Sequence, residues 1–346
     1  MSPSNRVLYL TGPQQVELRE EPISNPGRGE ILIRVDAATT CGTDLKVFLR
    51  GGHARMLQTP CPFGHEVTGT VAATGPEATG FREGDEVVVA NSASCGACAM
   101  CRNGRENLCS DLHYLNGAFG EHLLIPARFV QRSTYRRPVG LDPRVAALAE
   151  PLACVFHGMS AVSTPEPTET VVIGAGSIGL MFVAELAHRG HRVVLGDLVP
   201  ARLEVGRRLG AAETLRLAGD AADGARLRDA TTTRHGAPYV IEATGVPIGW
   251  SNALETVGVG GTAVLFGGCA PGTHVTCDSH RIHYSEITIK GVYHHRPATF
   301  RDALDRLASG VLRLDLLLQE EHGLDGVEQA LQAMAERRIL KASIRP

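Results

Sequence analysis

Cys95, Cys98, Cys101 and Cys109 fall within 15 residues of one another. Four thiolates this close can surround one ion tetrahedrally, which is the arrangement structural zinc prefers. Such a centre is closed, with every coordination place filled by protein. Its work is to hold together a segment, residues 91–118, that is rich in Cys, Gly and Asn and poor in apolar periodicity. An iron–sulfur cluster also uses closely spaced cysteines and is the competing metal reading. The remaining cysteines, Cys41, Cys61, Cys154, Cys269 and Cys277, are scattered. Their odd total, with no apolar signal core at the N-terminus, does not look like a disulfide framework.

A second set of ligand types is dispersed. Cys41 stands in Cys41-Gly42-Thr43-Asp44, His65 and Glu66 follow Gly64 24 residues later, and Glu150 opens Glu150-Pro151-Leu152-Ala153-Cys154. Each fragment alone is weak, because a lone Cys is usually a small buried hydrophobe. Together they offer a thiolate, an imidazole and carboxylates, and three protein ligands plus water is the pattern of a catalytic zinc. Asp44 is suited to accept a hydrogen bond from the second ring nitrogen of a ligand histidine and so fix its tautomer. Cys154 would share a helical face with Glu150, either as a competing ligand or as a packed core thiol.

The third constellation is Val171-Val172-Ile173-Gly174-Ala175-Gly176-Ser177-Ile178-Gly179. An apolar strand runs into a glycine turn and then into a helix. Gly174 permits the tight turn, Gly176 lets backbone N–H groups approach a pyrophosphate, and Gly179 lets the helix pack on the strand. Ser177 and Ile178 open that helix, whose N-terminus carries partial positive charge. Asp197 ends the next strand, 23 residues after Gly174. A carboxylate there accepts hydrogen bonds from ribose hydroxyls and repels a 2′-phosphate, which favours NAD over NADP. Arg202 lies five residues further on, within reach of an adenine.

These groups need scaffolds. With 346 residues and about 100–200 residues per domain, the chain has room for two. Lys and Arg number 34 against 37 acidic residues, for a net charge of −3, which argues against a nucleic-acid surface. No apolar run reaches the roughly 18 residues of a membrane span. The expected location is the cytoplasm. The first third reads as short strands, Val7–Leu10, Val16–Glu20, Glu30–Ala37, Val67–Thr74 and Glu86–Ala90, separated by turn residues, as in a small barrel or sandwich. From about Glu150 strands and helices alternate, which predicts a parallel sheet covered on both faces. Two helical stretches, Phe300–Ser309 and Leu324–Glu336, and a strand-like Lys341–Arg345 follow and are expected to return to the first domain.

Taken in order, CGTD, GHE, the four-cysteine loop, EPLAC, GAGSIG and Asp197 resemble the zinc-dependent medium-chain dehydrogenases, nearest to their sorbitol, polyol and threonine dehydrogenase branch. The resemblance covers essentially the whole chain. It implies an α/β protein, with a GroES-like β-barrel catalytic domain over residues 1–155, completed by about 298–346, and an NAD-binding Rossmann domain over 156–297. It implies a catalytic zinc on Cys41, His65 and Glu66, with Glu150 binding directly or through water, and a structural zinc on Cys95, Cys98, Cys101 and Cys109. Two zinc ions and one NAD per chain follow. Thr43 matches the hydroxyl that relays the substrate proton. Lys46 stands where many relatives carry a relay histidine, so the outer relay departs from the pattern. His294, in Tyr293-His294-His295-Arg296, matches a stretch close to nicotinamide and substrate, while His295 and Arg296 also read as loop surface.

The function so implied is oxidation of a secondary alcohol of the polyol, cyclitol or sugar-derived kind to a ketone. Threonine and simple alcohols are the alternative substrates. The only other partner expected is a second copy of the chain, in a homodimer or homotetramer. A zinc-independent enone reductase using NADPH would lack the metal residues. A non-enzymatic NAD-binding sensor is separated from an enzyme by dehydrogenase assays on a panel of alcohols.

Overall fold

Strand Ile31–Thr39 organises the first part of the computed structural model, which describes residues 4–53, 55–164 and 166–346. It alternates at its centre, with Ile33 and Val35 buried and Arg34 between them exposed, and is buried on both faces at its two ends. Antiparallel neighbours lie along it: Glu66–Thr74, His122–Ile125 and the C-terminal Lys341–Ile344. The sheet runs in the order Thr134–Arg136, Glu86–Val89, Glu66–Thr74, Ile31–Thr39, Lys341–Ile344, Leu318–His322. The last pair is parallel. Strands Ser4–Gly12, Gln15–Pro22 and Cys61–Pro62 form a separate small sheet. Val, Ile and Leu from these strands make one core with Phe63 and Phe119 of the loops and with Val327, Ala330, Leu331 and Met334 of helix Val327–Ala335.

The second part is a six-stranded parallel sheet. Its spatial order is Glu213–Arg216, Arg192–Asp197, Glu169–Ile173, Ala237–Glu242, Val257–Leu265, Thr288–Gly291. Its central strands are near-continuous apolar runs; Val171, Val172, Val193, Val194, Val240 and Ile241 have no exposed surface. That is what a sheet covered on both faces requires. The chain divides into one compact unit of residues up to Ala153, His295–Ser309 and Asp315–Pro346, and a second of Cys154–His294 and Gly310–Leu314. Among the described residues no helix is long and apolar enough to cross a membrane.

Several elements differ from the sequence reading. Residues 91–118, expected to be pure loop, hold the short helices Ala99–Arg102 and Glu106–Leu108 and the two-residue strands Ser92–Ala93 and His113–Tyr114. Pieces this short leave no periodicity to read. Edge strand Glu213–Arg216 and helix Asp223–Asp229 were not foreseen, because both are short and poor in apolar residues. Strand Val257–Leu265 runs through Gly258, Gly260 and Gly261, residues that the apolar strand pattern does not mark.

Candidate active site

In the cysteine loop all four sulfurs lie within 4.8 Å of one another. The Sγ–Sγ separations include 3.4 Å for Cys95–Cys109, 3.5 Å for Cys98–Cys101, 3.8 Å for Cys98–Cys109 and 4.0 Å for Cys95–Cys101. Four sulfurs at about 2.3 Å from a common tetrahedral centre would stand about 3.8 Å apart, so the donor set fits zinc. These distances are far too long for disulfides, and all four cysteines are free. Backbone N–H groups point at the sulfurs: those of Ala97 and Cys98 donate to Cys95 (3.4 and 3.3 Å), and that of Asp111 donates to Cys109 (3.4 Å). N–H donors from Cys101 and Ser110 bring the Cys98 thiol down to about 5, which favours the thiolate a metal needs. Burial pushes Cys109 up to about 12, so a fourth negative charge here calls for a cation. We predict that Cys98→Ser will lower the melting temperature by more than about 10 °C and remove one zinc, because metal binding to such a loop is folding free energy. Thermal unfolding with metal analysis checks this; a variant as stable as the parent would show that the loop holds itself together.

The second set meets through strand register. Thr39 ends one strand directly opposite Glu66, which begins its antiparallel neighbour. Cys41 follows the first and His65 precedes the second, so residues 24 apart in sequence become neighbours. Ligand atoms of Cys41, His65 and Glu66 lie within 4.8 Å of one another. Helix Gly42–Arg50 starts at this point with Cys41 as its N-cap: the Cys41 sulfur accepts from the Thr43 N–H (3.4 Å), and Asp44 Oδ2 accepts from the Cys41 N–H (2.9 Å). The other Asp44 oxygen, Oδ1, sits 2.8 Å from His65 Nδ1. Asp44 therefore orients both the thiol-bearing backbone and the imidazole, leaving the other ring nitrogen available for a metal. Burial disfavours an imidazolium at His65, but Asp44 and Cys41 outweigh it and hold its pKa well above the ordinary value. Burial and the Glu66 carboxylate push the Cys41 thiol up, against His65 and Lys341. A cation placed here would displace those protons, so loading must weaken on acidification. Thr43 is half-buried on the first helical turn, and Lys46 is exposed.

The sequence did not reveal what holds Glu66. The Lys341 ammonium donates to both of its carboxylate oxygens, at 2.9 and 2.7 Å, and neither side chain has exposed surface. The Thr39 hydroxyl donates to the same carboxylate. Burial lowers the pKa of Lys341, yet Glu66 and Cys41 more than compensate and raise it, so the pair is ionic. The signal in the sequence was a single lysine inside Ile339-Leu340-Lys341-Ala342, since a buried lysine needs an acidic partner.

Glu150, on helix Ala149–Met159, does not belong to the tight Cys41–His65–Glu66 group. It is buried with His295, whose Nε2 lies 3.8 Å from Glu150 Oε1 and 3.1 Å from Asn91 Oδ1. His295 is 4% exposed, which corrects the surface reading of that residue. Arg296 caps helix Pro297–Ala308 and donates to the Gly104 carbonyl. In the second unit His294 has a positive φ of 61°, its carbonyl lies 2.7 Å from His157 Nδ1, and its ring reaches within 4.8 Å of the Cys154 sulfur.

The glycine turn fits a dinucleotide. Gly174 has φ +102°, closed to other residues at little cost, and a Cβ at Gly179 would run into the Gly174 carbonyl. Beside Gly176 a Cβ would meet nothing within 4 Å, which is room for a phosphate. Helix Ser177–His188 starts at Gly176 with no side chain capping its first N–H groups, and Ile178 is half-buried in that first turn. Asp197 ends the neighbouring strand; its carboxylate accepts from Ala175 N (2.6 Å) and Val199 N (2.8 Å), which fixes it at the turn. Arg202 stands half-buried on the first turn of helix Pro200–Arg208.

The chain is similar over its length to known proteins. Residues 27–134 match the alcohol dehydrogenase GroES-like domain and residues 177–309 the zinc-binding dehydrogenase family. An L-threonine 3-dehydrogenase of Bacillus velezensis is 30% identical over 337 residues, covering 95% of each chain. A D-altritol 5-dehydrogenase of Agrobacterium fabrum is 35% identical over 79% of this chain and 80% of its own. Among solved structures, a protein of Sinorhizobium meliloti described as a zinc-binding dehydrogenase, bound to NADP, superposes over 100% of both chains with a TM-score of 0.90 and 26% identity. The chain therefore belongs to the zinc-dependent medium-chain dehydrogenase family, and like its named relatives it is a dehydrogenase.

Proposed function

We propose that the chain is an NAD-dependent dehydrogenase with two zinc ions, which oxidises a secondary alcohol of polyol, cyclitol or sugar-derived type to a ketone. The observation that carries this reading is the meeting of Cys41, His65 and Glu66 beside the buried Asp44–His65 pair. Cys41, His65 and Glu66 would hold the catalytic zinc, with Glu150 acting through water, and Cys95, Cys98, Cys101 and Cys109 the structural one. When bound, the catalytic ion supplies Lewis-acid stabilisation of negative charge on a substrate oxygen. Asp44 keeps His65 in one tautomer, and Lys341 and Thr39 keep the Glu66 carboxylate in place. Thr43, whose backbone N–H donates to the Cys41 sulfur, carries the hydroxyl that relays the proton leaving the substrate hydroxyl, accepting it while passing its own proton outward to solvent. Gly174 to Gly179 and Asp197 seat the dinucleotide, which supplies the hydride acceptor.

Relatives named sorbitol dehydrogenase (28% identical, Bacillus subtilis) and D-altritol 5-dehydrogenase support a polyol. Relatives named L-threonine 3-dehydrogenase, at 30 and 34% identity, support an amino alcohol as the second reading. Screening both classes by NADH production decides between them; the proposal expects the highest kcat/KM with a polyol, and a preference for threonine would replace it.

Cofactor choice rests on Asp197. A carboxylate at the end of this strand suits two free ribose hydroxyls and opposes a phosphate carrying nearly two charges. We expect kcat/KM with NAD to exceed that with NADP by at least about tenfold, or about 1.4 kcal/mol. Asp197→Ser should narrow or reverse the ratio, mainly through the cofactor KM, because the contact is remote from the hydride. Steady-state kinetics with both cofactors tests this. A parent enzyme that prefers NADP, the cofactor bound in the Sinorhizobium relative, would show that Asp197 does not face the ribose.

A further inference from the structure

Glu242 is the last residue of strand Ala237–Glu242 and has no exposed surface. A buried carboxylate is costly unless it is hydrogen-bonded, and this one is. Its Oε1 accepts from the Thr244 N–H at 2.7 Å, from the Thr244 hydroxyl and from the Gly245 N–H at 3.1 Å. Its backbone carbonyl accepts from the Phe266 and Gly267 N–H groups, both at 3.0 Å. A Cβ at Gly249 or Gly267 would stand 2.6 Å from a Glu242 carboxylate oxygen, so glycine at both places makes room for it. The carboxylate thus holds the turn 243–246, and the backbone carbonyl of the same residue holds 266–267.

The place of those turns gives the acid a role beyond folding. Strand Ala237–Glu242 lies beside Glu169–Ile173, with Glu242 directly opposite Ile173. From Glu169–Ile173 the chain crosses to Arg192–Asp197 on the other flank, so the strand order reverses between these two. In open parallel sheets ligands bind outside the carboxyl ends of the strands at that reversal. A Cβ on Gly174 would stand only 2.7 Å from the Thr244 methyl, so the Glu242 turn packs closely against the glycine turn.

Resting on the dinucleotide reading above, we infer that Glu242 is a positioning residue for the cofactor: it locks Thr244 and Gly245 against the Gly174 turn and so shapes one wall of the nucleotide crevice.

The chain has one tryptophan, Trp250, and its indole N–H donates to the Gly267 carbonyl at 2.8 Å. Its emission therefore reports on the same turns. The test is titration of the zinc-loaded protein with NADH, following Trp250 and NADH fluorescence, alongside steady-state kinetics. Glu242→Gln drops the charge behind these bonds and puts an amide donor among donors. It should raise the NADH dissociation constant about tenfold, with a rise in cofactor KM larger than any fall in kcat. Thr244→Val, which keeps its bulk against Gly174 but loses the hydroxyl, should raise the dissociation constant about threefold. NADH binding by Glu242→Gln within twofold of the parent overturns the inference; if that variant does not fold, binding by Thr244→Val within the same margin overturns it. A parent protein that binds neither NADH nor NADPH overturns the dinucleotide reading instead.

Discussion

In protein stripped of its catalytic zinc, Lys341→Met should cost about 3–5 kcal/mol of stability, because it leaves the Glu66 carboxylate buried without its cation. The pair is fully buried, and both Glu66 oxygens accept from this ammonium, with the Thr39 hydroxyl as a further donor to one of them. Removing both charges is a different matter: Glu66→Gln with Lys341→Met leaves no buried ion, and replacing a buried pair by neutral groups is often close to neutral in stability. The double variant should recover most of the loss. Urea unfolding of the parent, the two single variants and the double variant measures the coupling directly. A Lys341→Met protein within about 0.5 kcal/mol of the parent would mean that water or rearrangement satisfies Glu66, and that the C-terminal strand does not anchor the metal centre.

Cys41→Ser should do the opposite. Cys41 lies in a helix N-cap, and a serine hydroxyl caps a helix well, so the fold should persist. Turnover should fall by about a thousandfold, the equivalent of about 4 kcal/mol of the several a Lewis acid supplies. The contrast with Cys98→Ser is the substance of the division into two metal centres. Equal stability and equal inactivity of the two variants would erase it.

Legibility in the sequence followed the range of the interactions. The cysteine loop was readable because all four ligands come from 15 consecutive residues. The nucleotide turn was readable because the strand, the glycines and the helix N-terminus adjoin one another. The open centre was readable only as fragments, since nothing local says that Thr39 pairs with Glu66. Lys341 was out of reach: it lies 275 residues from Glu66 and arrives through the pairing of Ser343 with Thr39, a long-range register. His295 was misjudged for a related reason. Its burial depends on Asn91 and Glu150, each brought to it by a different element. Glu242 gave no signal as a lone acid at a strand end, until the glycines that clear space for it were seen to surround it.

The most direct test of the whole account is the zinc content of the purified parent and of Cys41→Ser, measured alongside their dehydrogenase activity. The account predicts two zinc ions per chain in the active parent and one in the inactive, folded variant, the remaining ion held by Cys95, Cys98, Cys101 and Cys109. A fully active parent carrying a single zinc, or a Cys41→Ser protein that keeps two, would contradict it.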